Sequence, residues 1–333
     1  MRISRSLALP ATALALALSL TACSSDEGNS DGANSDADSA GSSSVVVTDM
    51  FGEVEVPADP QRVVALGWSD AETALALGVQ PVGASDWLGV GGNGLGPWVE
   101  ETYDTDPTIV GTFDVDMESV AALAPDLILW TRSTNDKAVY DQLTEIAPTV
   151  AAPPGTDIAY GTTWDDQTEI VSQALGKIDE GNKLVEDTEA QFADAVAANP
   201  EFADKTVAVG TIYSGQVGAY VRGDTRVDFL EALGMTNTPA IQDLAEPGNF
   251  SVDLSEENIS ALDADLTVMF PIGTGPEVIT DNPLIQGLPS ARDGRLVVLG
   301  DLDLANAFSA ASVAGTRYAL DNAVPLFAEP LKS

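Results

Sequence analysis

The feature that most limits the fold is an alternation of short apolar segments and helical segments, repeated on both sides of one long amphipathic segment. In the first half, the run Arg62 to Leu66 is typical of a buried strand, and predicted strands and helices alternate from there to Val150. Such alternation predicts a mostly parallel sheet covered by helices. It restarts at Thr206, and the later helices are predicted over 227–233, 255–262 and 311–326.

The long segment between the two halves is predicted as one helix over 179–198. At about 1.5 Å per residue it would be about 30 Å long, roughly the width of a small domain. We therefore expect an α/β protein of two Rossmann-like lobes joined by a single long α-helix, with a ligand cleft between the lobes. The predicted boundaries are 45–176 for the N-terminal lobe, 177–200 for the connecting helix and 201–333 for the C-terminal lobe.

The N-terminus has the pattern of an export signal. Arg2 precedes an apolar stretch over 7–20, which is too short to span a bilayer and ends in Leu-Thr-Ala-Cys. This pattern predicts a lipoprotein signal peptide over 1–22, removed before Cys23, which is then acylated. An ordinary secretory signal with a chance cysteine, or a signal anchor, is the alternative. Because Cys23 is the only cysteine, an internal disulfide is excluded.

The segment over 23–44 is predicted to be a disordered tether. It consists almost entirely of Ser, Asp, Gly, Asn and Ala and has no aromatic residue, so it cannot bury enough apolar surface to order itself. Together with the acylation of Cys23, it predicts an extracytoplasmic protein that is lipid-anchored to the outer face of the cell membrane.

Composition excludes several functional classes. The chain has 52 acidic and 14 basic residues and a net charge of −38, which argues against a nucleic-acid partner. It has no histidine, which excludes a Ser-His-Asp triad, His-ligated zinc and His-ligated haem. No spacing singles out a catalytic carboxylate pair, so we expect a protein that is not an enzyme. A carboxylate-dependent hydrolase and a surface interaction protein remain the alternative classes.

Aromatic and arginine side chains follow predicted strands in both halves, where open α/β sheets bind ligands. Aromatic rings can stack on a flat ligand, and arginine can donate to its anionic oxygens. The alternatives are a place in the core for each aromatic residue and an ion pair with Asp224 for Arg222. Trp98, in a loop rich in Gly and Pro, is interpreted as a lid or a surface anchor. The candidate ligand-binding residues are Trp68, Trp87, Trp130, Arg132, Trp164, Tyr213, Tyr220 and Arg222.

Several separated motifs, in order, resemble the helical-backbone periplasmic binding proteins, which are receptors for ferric siderophores, cobalamin and haem. The resemblance extends from about Val45 to the C-terminus and is specific for the family, not for the ligand. The motifs lie at Thr48–Gly52, Val56–Leu66, Ala76–Gly83, Val110–Gly111, Asp116–Ile128, Phe229–Asn237 and Leu254–Leu266.

The resemblance implies a monomeric substrate-binding lipoprotein of an ABC importer, which delivers a ferric siderophore to a dimeric membrane permease and moves little at its hinge. Iron would be held by the siderophore alone, so no cofactor and no protein metal ligand are expected. Cobalamin and haem are the alternative ligands, and haem would need Tyr213 or Tyr220 as its axial ligand. By motif, Glu118 and Glu231 would each dock on a permease arginine; the alternative is that both are ordinary surface acids.

Overall fold

The structure, a computed structural model, describes residues 43–332 except for 88, 90, 91 and 113. The predicted signal peptide, Cys23 and nearly all of the predicted tether lie outside the described residues. The described chain opens with an antiparallel hairpin, whose strands are β1 (Ser44–Asp49) and β2 (Gly52–Pro57). No helix in this part of the chain is both long enough and apolar enough to cross a membrane.

The N-terminal lobe is built on a five-stranded parallel sheet. Its strands are β3 (Val63–Ala65), β4 (Gly83–Ala84), β5 (Thr108–Ile109), β6 (Leu127–Leu129) and β7 (Thr149–Val150). They lie in the order β5-β4-β3-β6-β7. The residues of β3 and β6 are fully buried, which explains their continuous apolar sequence. The helices of this lobe are α1 (Asp70–Ala76), α2 (Met117–Ala122), α3 (Lys137–Thr144) and α4 (Trp164–Ala174).

One helix of 21 residues, α5 (Ile178–Ala198), connects the two halves. Its buried side chains are spaced three to four residues apart and include Val185, Thr188 and Phe192, while most of the others are exposed. This single apolar stripe is the pattern of a helix packed on one side only. The predicted α/β fold with a long connecting helix is confirmed, whereas the exact lobe boundaries remain predictions.

The C-terminal lobe is built on a mixed sheet. Its strands are β8 (Thr206–Tyr213), β9 (Gln216–Tyr220), β10 (Thr236–Asn237), β11 (Ser251–Leu254), β12 (Leu266–Ile272) and β13 (Leu296–Val298). The order is β11-β9-β8-β12-β13, with β10 beside the start of β8. Because β9 runs antiparallel to β8, its last residue, Tyr220, follows the Gly210–Ala219 pair near the middle of β8, whereas Tyr213 pairs with Gln216 at the end of β8.

Two helix predictions in this lobe were wrong in detail. The segment predicted over 255–262 forms only a short 3₁₀ turn, Ile259–Leu262. The helix predicted over 311–326 is interrupted at Ala323, just before Pro325, because proline disrupts the interior of a helix. The helices are α6 (Thr225–Ala232), α7 (Pro239–Gln242), α8 (Glu277–Thr280), α9 (Pro283–Gln286), α10 (Pro289–Arg292), α11 (Leu302–Ala310), α12 (Val313–Asn322) and α13 (Val324–Ala328).

The junction between α11 and α12 binds the N-terminal lobe through buried hydrogen bonds. Ser69 Oγ donates to the carbonyl of Ala310 at 2.6 Å, and Ser312 Oγ donates to the Glu72 carboxylate. The Arg132 guanidinium also donates to Ala310, at 2.8 Å. We call this set of contacts the lobe seam. It means that α5 is not the only connection between the halves.

Candidate ligand-binding site

A cavity of about 410 Å³ lies at the carboxyl ends of the parallel strands of the N-terminal lobe. Its lining includes the residue that follows each of four neighbouring strands: Leu66 after β3, Ser85 after β4, Val110 after β5 and Trp130 after β6. This is the edge at which open α/β sheets bind ligands, and the volume is within the usual range for small-molecule sites.

Two aromatic rings form one wall of this cavity. Trp68 and Tyr160 both line it, with ring centroids 4.3 Å apart. Trp87 is buried behind them and stacks on Trp68 at 5.8 Å. The structure therefore places Trp68 and Trp130 in the cavity lining, while Trp87 supports Trp68 from behind.

Arg132 also lines the cavity, but its donors are directed at backbone carbonyls. Its Nε donates to the carbonyl of Tyr160 at 3.0 Å, and its Nη1 donates to the carbonyls of Ala310 and Ser309 at 2.8 and 3.3 Å. Burial is the main cause that lowers the pKa of this guanidinium, to about 10, so it stays charged at neutral pH. These bonds make Arg132 a link between Tyr160 and the lobe seam.

Tyr160 is a site residue that the sequence did not reveal. Its backbone is left-handed, with φ of 58°, which is unfavourable for a side chain of this size. Two bonds hold it there: its N–H donates to the carbonyl of Ser133 at 2.7 Å, and its own carbonyl accepts from Arg132. Arg132 thus positions the Tyr160 ring against Trp68.

A second concavity, of about 640 Å³, lies beside the first and belongs mainly to the C-terminal lobe. Ala159 lines it, whereas the next residue, Tyr160, lines the first cavity, so one short segment separates the two. The other lining residues come from the loop and strand between Leu244 and Asn258 and include the acids Glu246 and Asp253.

Besides Trp87, four predicted ligand-binding residues line neither concavity. Trp164 stacks on Phe192 of the connecting helix, at 6.1 Å. Tyr220 is a core residue, buried against Phe270 at 5.8 Å, because its end of β9 faces inward. Tyr213 is 60% exposed at the end of β8. Arg222 also lines neither concavity, and a ligand-binding role for these residues stays a prediction.

Arg222 forms an ion pair with Glu231, not with Asp224, the partner that the sequence suggested. Its Nε donates to both carboxylate oxygens of Glu231, at 2.8 and 3.0 Å. Asp224 instead pairs with Arg226, whose guanidinium lies 3.7 Å from the centre of the Tyr220 ring. Arg222 therefore ties the segment before α6 to the last turn of that helix and does not line the cavity.

Trp98 is neither a lid nor a surface anchor. It is 7% exposed, and its indole N–H donates to the Glu72 carboxylate at 3.1 Å. Burial raises the pKa of Glu72 above its ordinary value, and the donors around it oppose that rise.

The two glutamates predicted to dock on a permease differ in their surroundings. Glu118 is exposed in the first turn of α2. Glu231 is half-buried, and besides Arg222 it accepts the backbone N–H of Asn237 at 2.9 Å. The carboxylate of Glu231 is therefore already hydrogen-bonded within the lobe, unlike that of Glu118, although both residues are predicted to dock on a permease.

An internal repeat gives Glu118 a second candidate counterpart besides Glu231, whose docking role stays a prediction. The ten residues from Glu118 to Leu127 and from Glu257 to Leu266 share the pattern Glu-x-Val/Ile-x-Ala-Leu-x-x-Asp-Leu. Both copies end at the start of a buried parallel strand, β6 and β12. Glu257 is exposed, like Glu118. The repeat was visible in the sequence and could have found Glu257.

The aspartates of the two repeats confirm that the copies are structurally equivalent. Asp126 accepts the backbone N–H groups of Gln61 and Arg62, just before β3, both at 2.8 Å. Asp265 accepts the backbone N–H of Thr206, the first residue of β8, at 2.9 Å. Each aspartate thus fixes the start of the central strand of its own sheet.

Metal coordination by the protein finds no support in residues 43–332 as described. They contain no group of three or more Cys, Asp or Glu side chains placed to hold a metal ion. The cavity lining offers aromatic, hydroxyl and carboxylate groups in positions suited to an organic ligand.

Known proteins resemble this chain over most of its length. It is 31% identical over 259 residues to the probable siderophore-binding lipoprotein YfiY of Bacillus subtilis, covering 75% of this chain and 74% of that protein. A periplasmic solute-binding protein of Mycobacterium smegmatis superposes with a TM-score of 0.74 at 29% identity, covering 86% and 99%. Streptococcus pneumoniae PiaA in complex with ferrichrome gives the same TM-score at 24% identity and the same coverage.

These similarities agree with the sequence motifs and with the site geometry. The family of periplasmic binding proteins matches residues 63–302, which include most of both sheets and the connecting helix. The chain belongs to the periplasmic binding protein family.

Proposed function

We propose that this chain is the lipid-anchored, extracytoplasmic receptor of an ABC importer, and that it binds a ferric siderophore and delivers it to the membrane permease. The observation that carries the proposal is the cavity at the carboxyl ends of four parallel strands, with Trp68, Trp130 and Tyr160 in its lining. The name of the Bacillus subtilis relative, a probable siderophore-binding lipoprotein, supports the ligand class and the acylation of Cys23.

The chemistry of the lining supports binding without catalysis. Aromatic surface can stack on the organic shell of a chelator, and the chelator supplies the iron ligands itself. Iron is thus cargo carried inside the ligand. Within the described residues, no donor cluster competes with the chelator for the metal.

Binding can be tested with the purified protein by isothermal titration calorimetry and tryptophan fluorescence. We expect one class of ferric siderophore to bind saturably with sub-micromolar affinity, and Trp68→Leu to weaken it. Trp164→Leu is the matched control, because that ring packs on α5 away from the cavity. Binding of cobalamin or haem alone would overturn the ligand, and no binding of any of the three would overturn the function.

For delivery, we propose that Glu118 and Glu257 each contact a basic residue of a dimeric permease, with one monomeric receptor lying across both subunits. Two exposed carboxylates at equivalent positions of the two lobes suit a partner with two-fold symmetry. Glu231, the residue first assigned to this role, has its carboxylate bound by Arg222.

Uptake in cells separates docking from binding. The double variant Glu118→Ala, Glu257→Ala should keep its ligand affinity and lose uptake of labelled iron, since only the permease contact is removed. Glu231→Ala is the control, and it should keep uptake while losing some stability. Normal uptake by the double variant, or loss of uptake in folded Glu231→Ala, would contradict the assignment of Glu257.

A further inference from the structure

The described lining of the cavity has a single source of positive charge. Among the lining residues that the structure describes, Arg132 is the only basic one. Its Nε and Nη1 donate to the carbonyls of Tyr160 and Ala310, and it is 3% exposed. These bonds leave its Nη2 group as the part of the guanidinium that can donate to an incoming anion.

Negative charge, in contrast, is exposed around both concavities. Asp114 and Asp136 line the first cavity and are exposed. Glu246 and Asp253 line the second, where the described lining contains no basic residue. A ligand that fills the space on either side of Tyr160 therefore meets carboxylates, and an anionic complex would be repelled.

The aromatic wall, like the carboxylates, favours a positively charged ligand. The faces of Trp68 and Tyr160 carry the negative part of the ring quadrupole, which attracts cations and repels anions. The backbone of Tyr160 adopts an unfavourable left-handed conformation, and hydrogen bonds with Arg132 and Ser133 hold it there. The ring surface and the carboxylates thus both attract a cationic ligand and repel an anionic one.

We propose that this receptor selects ferric complexes of zero or positive net charge, and specifically the tris-hydroxamate class. The proposal rests on the proposed siderophore-binding function. Three hydroxamates carry three negative charges, which balance Fe³⁺ and give a neutral complex; a free ammonium group on the chelator makes it cationic. Three catecholates leave a complex of charge −3, which the cavity disfavours. This reverses the expectation that arginines hold an anionic siderophore.

The direct test uses matched gallium complexes, which avoid redox chemistry and fluorescence quenching by iron. The probes are a linear tris-hydroxamate chelator with a terminal amine, the same chelator N-acetylated, and a tris-catecholate chelator. Calorimetry at low salt should show the cationic complex binding about three- to tenfold more tightly than its acetylated form, as expected for exposed charges. Added salt should reduce the difference, and the tris-catecholate should bind at least about a hundredfold more weakly.

Variants assign the charge effect to the cavity. The double variant Asp114→Asn, Asp136→Asn should lose the preference for the cationic complex over the acetylated one. Asparagine can still cap α3, where Asp136 accepts the N–H of Ala138. Asp194→Asn, an exposed position on α5, removes charge outside the cavity lining and should change neither affinity.

The outcomes separate this inference from the function on which it rests. Tight binding of the tris-catecholate, equal affinity for the amine and its acetylated form, or an unchanged preference in the double variant would overturn the charge selectivity and leave the siderophore receptor in place. No binding of any ferric or gallium siderophore would overturn both.

Discussion

Replacing Arg132 by methionine tests whether this residue positions the cavity wall or binds the ligand. Methionine has a similar length and no donors. The variant loses the bonds to the carbonyls of Tyr160 and Ala310, at 3.0 and 2.8 Å. Ala310 keeps its bond from Ser69, so the carbonyl of Tyr160 is the group most affected.

The magnitude follows from two opposing effects. Two hydrogen bonds from a charged donor contribute about 3–6 kcal/mol together. The lowered pKa of the guanidinium, about 10 against an ordinary 12.5, corresponds to a cost of about 3 kcal/mol for keeping the charge buried. We therefore expect the free energy of unfolding to fall by about 0–3 kcal/mol, so the variant still folds.

Ligand affinity should also fall, for a separate reason. Without Arg132, the left-handed backbone of Tyr160 can relax, gaining about 1–2 kcal/mol, and its ring then leaves Trp68. Re-forming the wall on binding would reverse that gain, so affinity should fall by about five- to thirtyfold. The neutral complex should lose this much, because the effect is on shape, whereas an anionic complex should lose more, because the variant also removes a positive charge from the cavity lining.

The assay combines urea denaturation with calorimetry of a neutral tris-hydroxamate and an anionic tris-catecholate complex. Arg317→Met is the matched control, since that guanidinium donates to Thr188 and Leu184 on α5, away from the cavity. It should lower stability and leave affinity intact. If Arg132→Met weakens only the anionic complex, or keeps full affinity for the neutral one, the positioning role is refuted.

Two further substitutions test the polar contacts. Trp98→Phe removes a donor to Glu72, so the pKa of Glu72, which burial already raises, should rise further. In urea denaturation, the loss of unfolding free energy should therefore be smallest near pH 4 and grow to about 1–3 kcal/mol at pH 8. A loss independent of pH would contradict this reasoning. Arg222→Ala breaks a half-exposed ion pair with Glu231 and should lower the free energy of unfolding by less than about 1 kcal/mol. Ligand affinity measured by calorimetry should not change, and weaker binding would show that Arg222 contacts the ligand.

The parts of the fold that local pattern determines were predictable. A continuous apolar run such as Val63–Ala65 indicates a strand buried on both faces, and the long stripe of α5 indicates a helix packed on one side. The hairpin of β8 and β9 was missed, although Ser214 and Gly215, both with positive φ, form the two-residue turn that favours it.

The site was only partly predictable, because its residues depend on contacts distant in sequence. The position after each strand identified Trp68, Trp130 and Arg132 as cavity residues. Nothing local indicates that Glu72 would be the partner of Trp98, 26 residues later along the chain. The role of Tyr160 depends equally on a bond from Arg132, which only the folded chain brings close.

The lobe seam has a consequence for how import responds to the amount of receptor. Its buried bonds, from Ser69 and Arg132 to Ala310 and from Ser312 to Glu72, join the two lobes. A ligand can shift a conformational equilibrium only by its differential affinity for the two states, and these bonds oppose any large opening. Empty and loaded receptors should therefore present nearly the same surface to the permease and compete for it. When siderophore is scarce, producing more receptor should slow iron uptake.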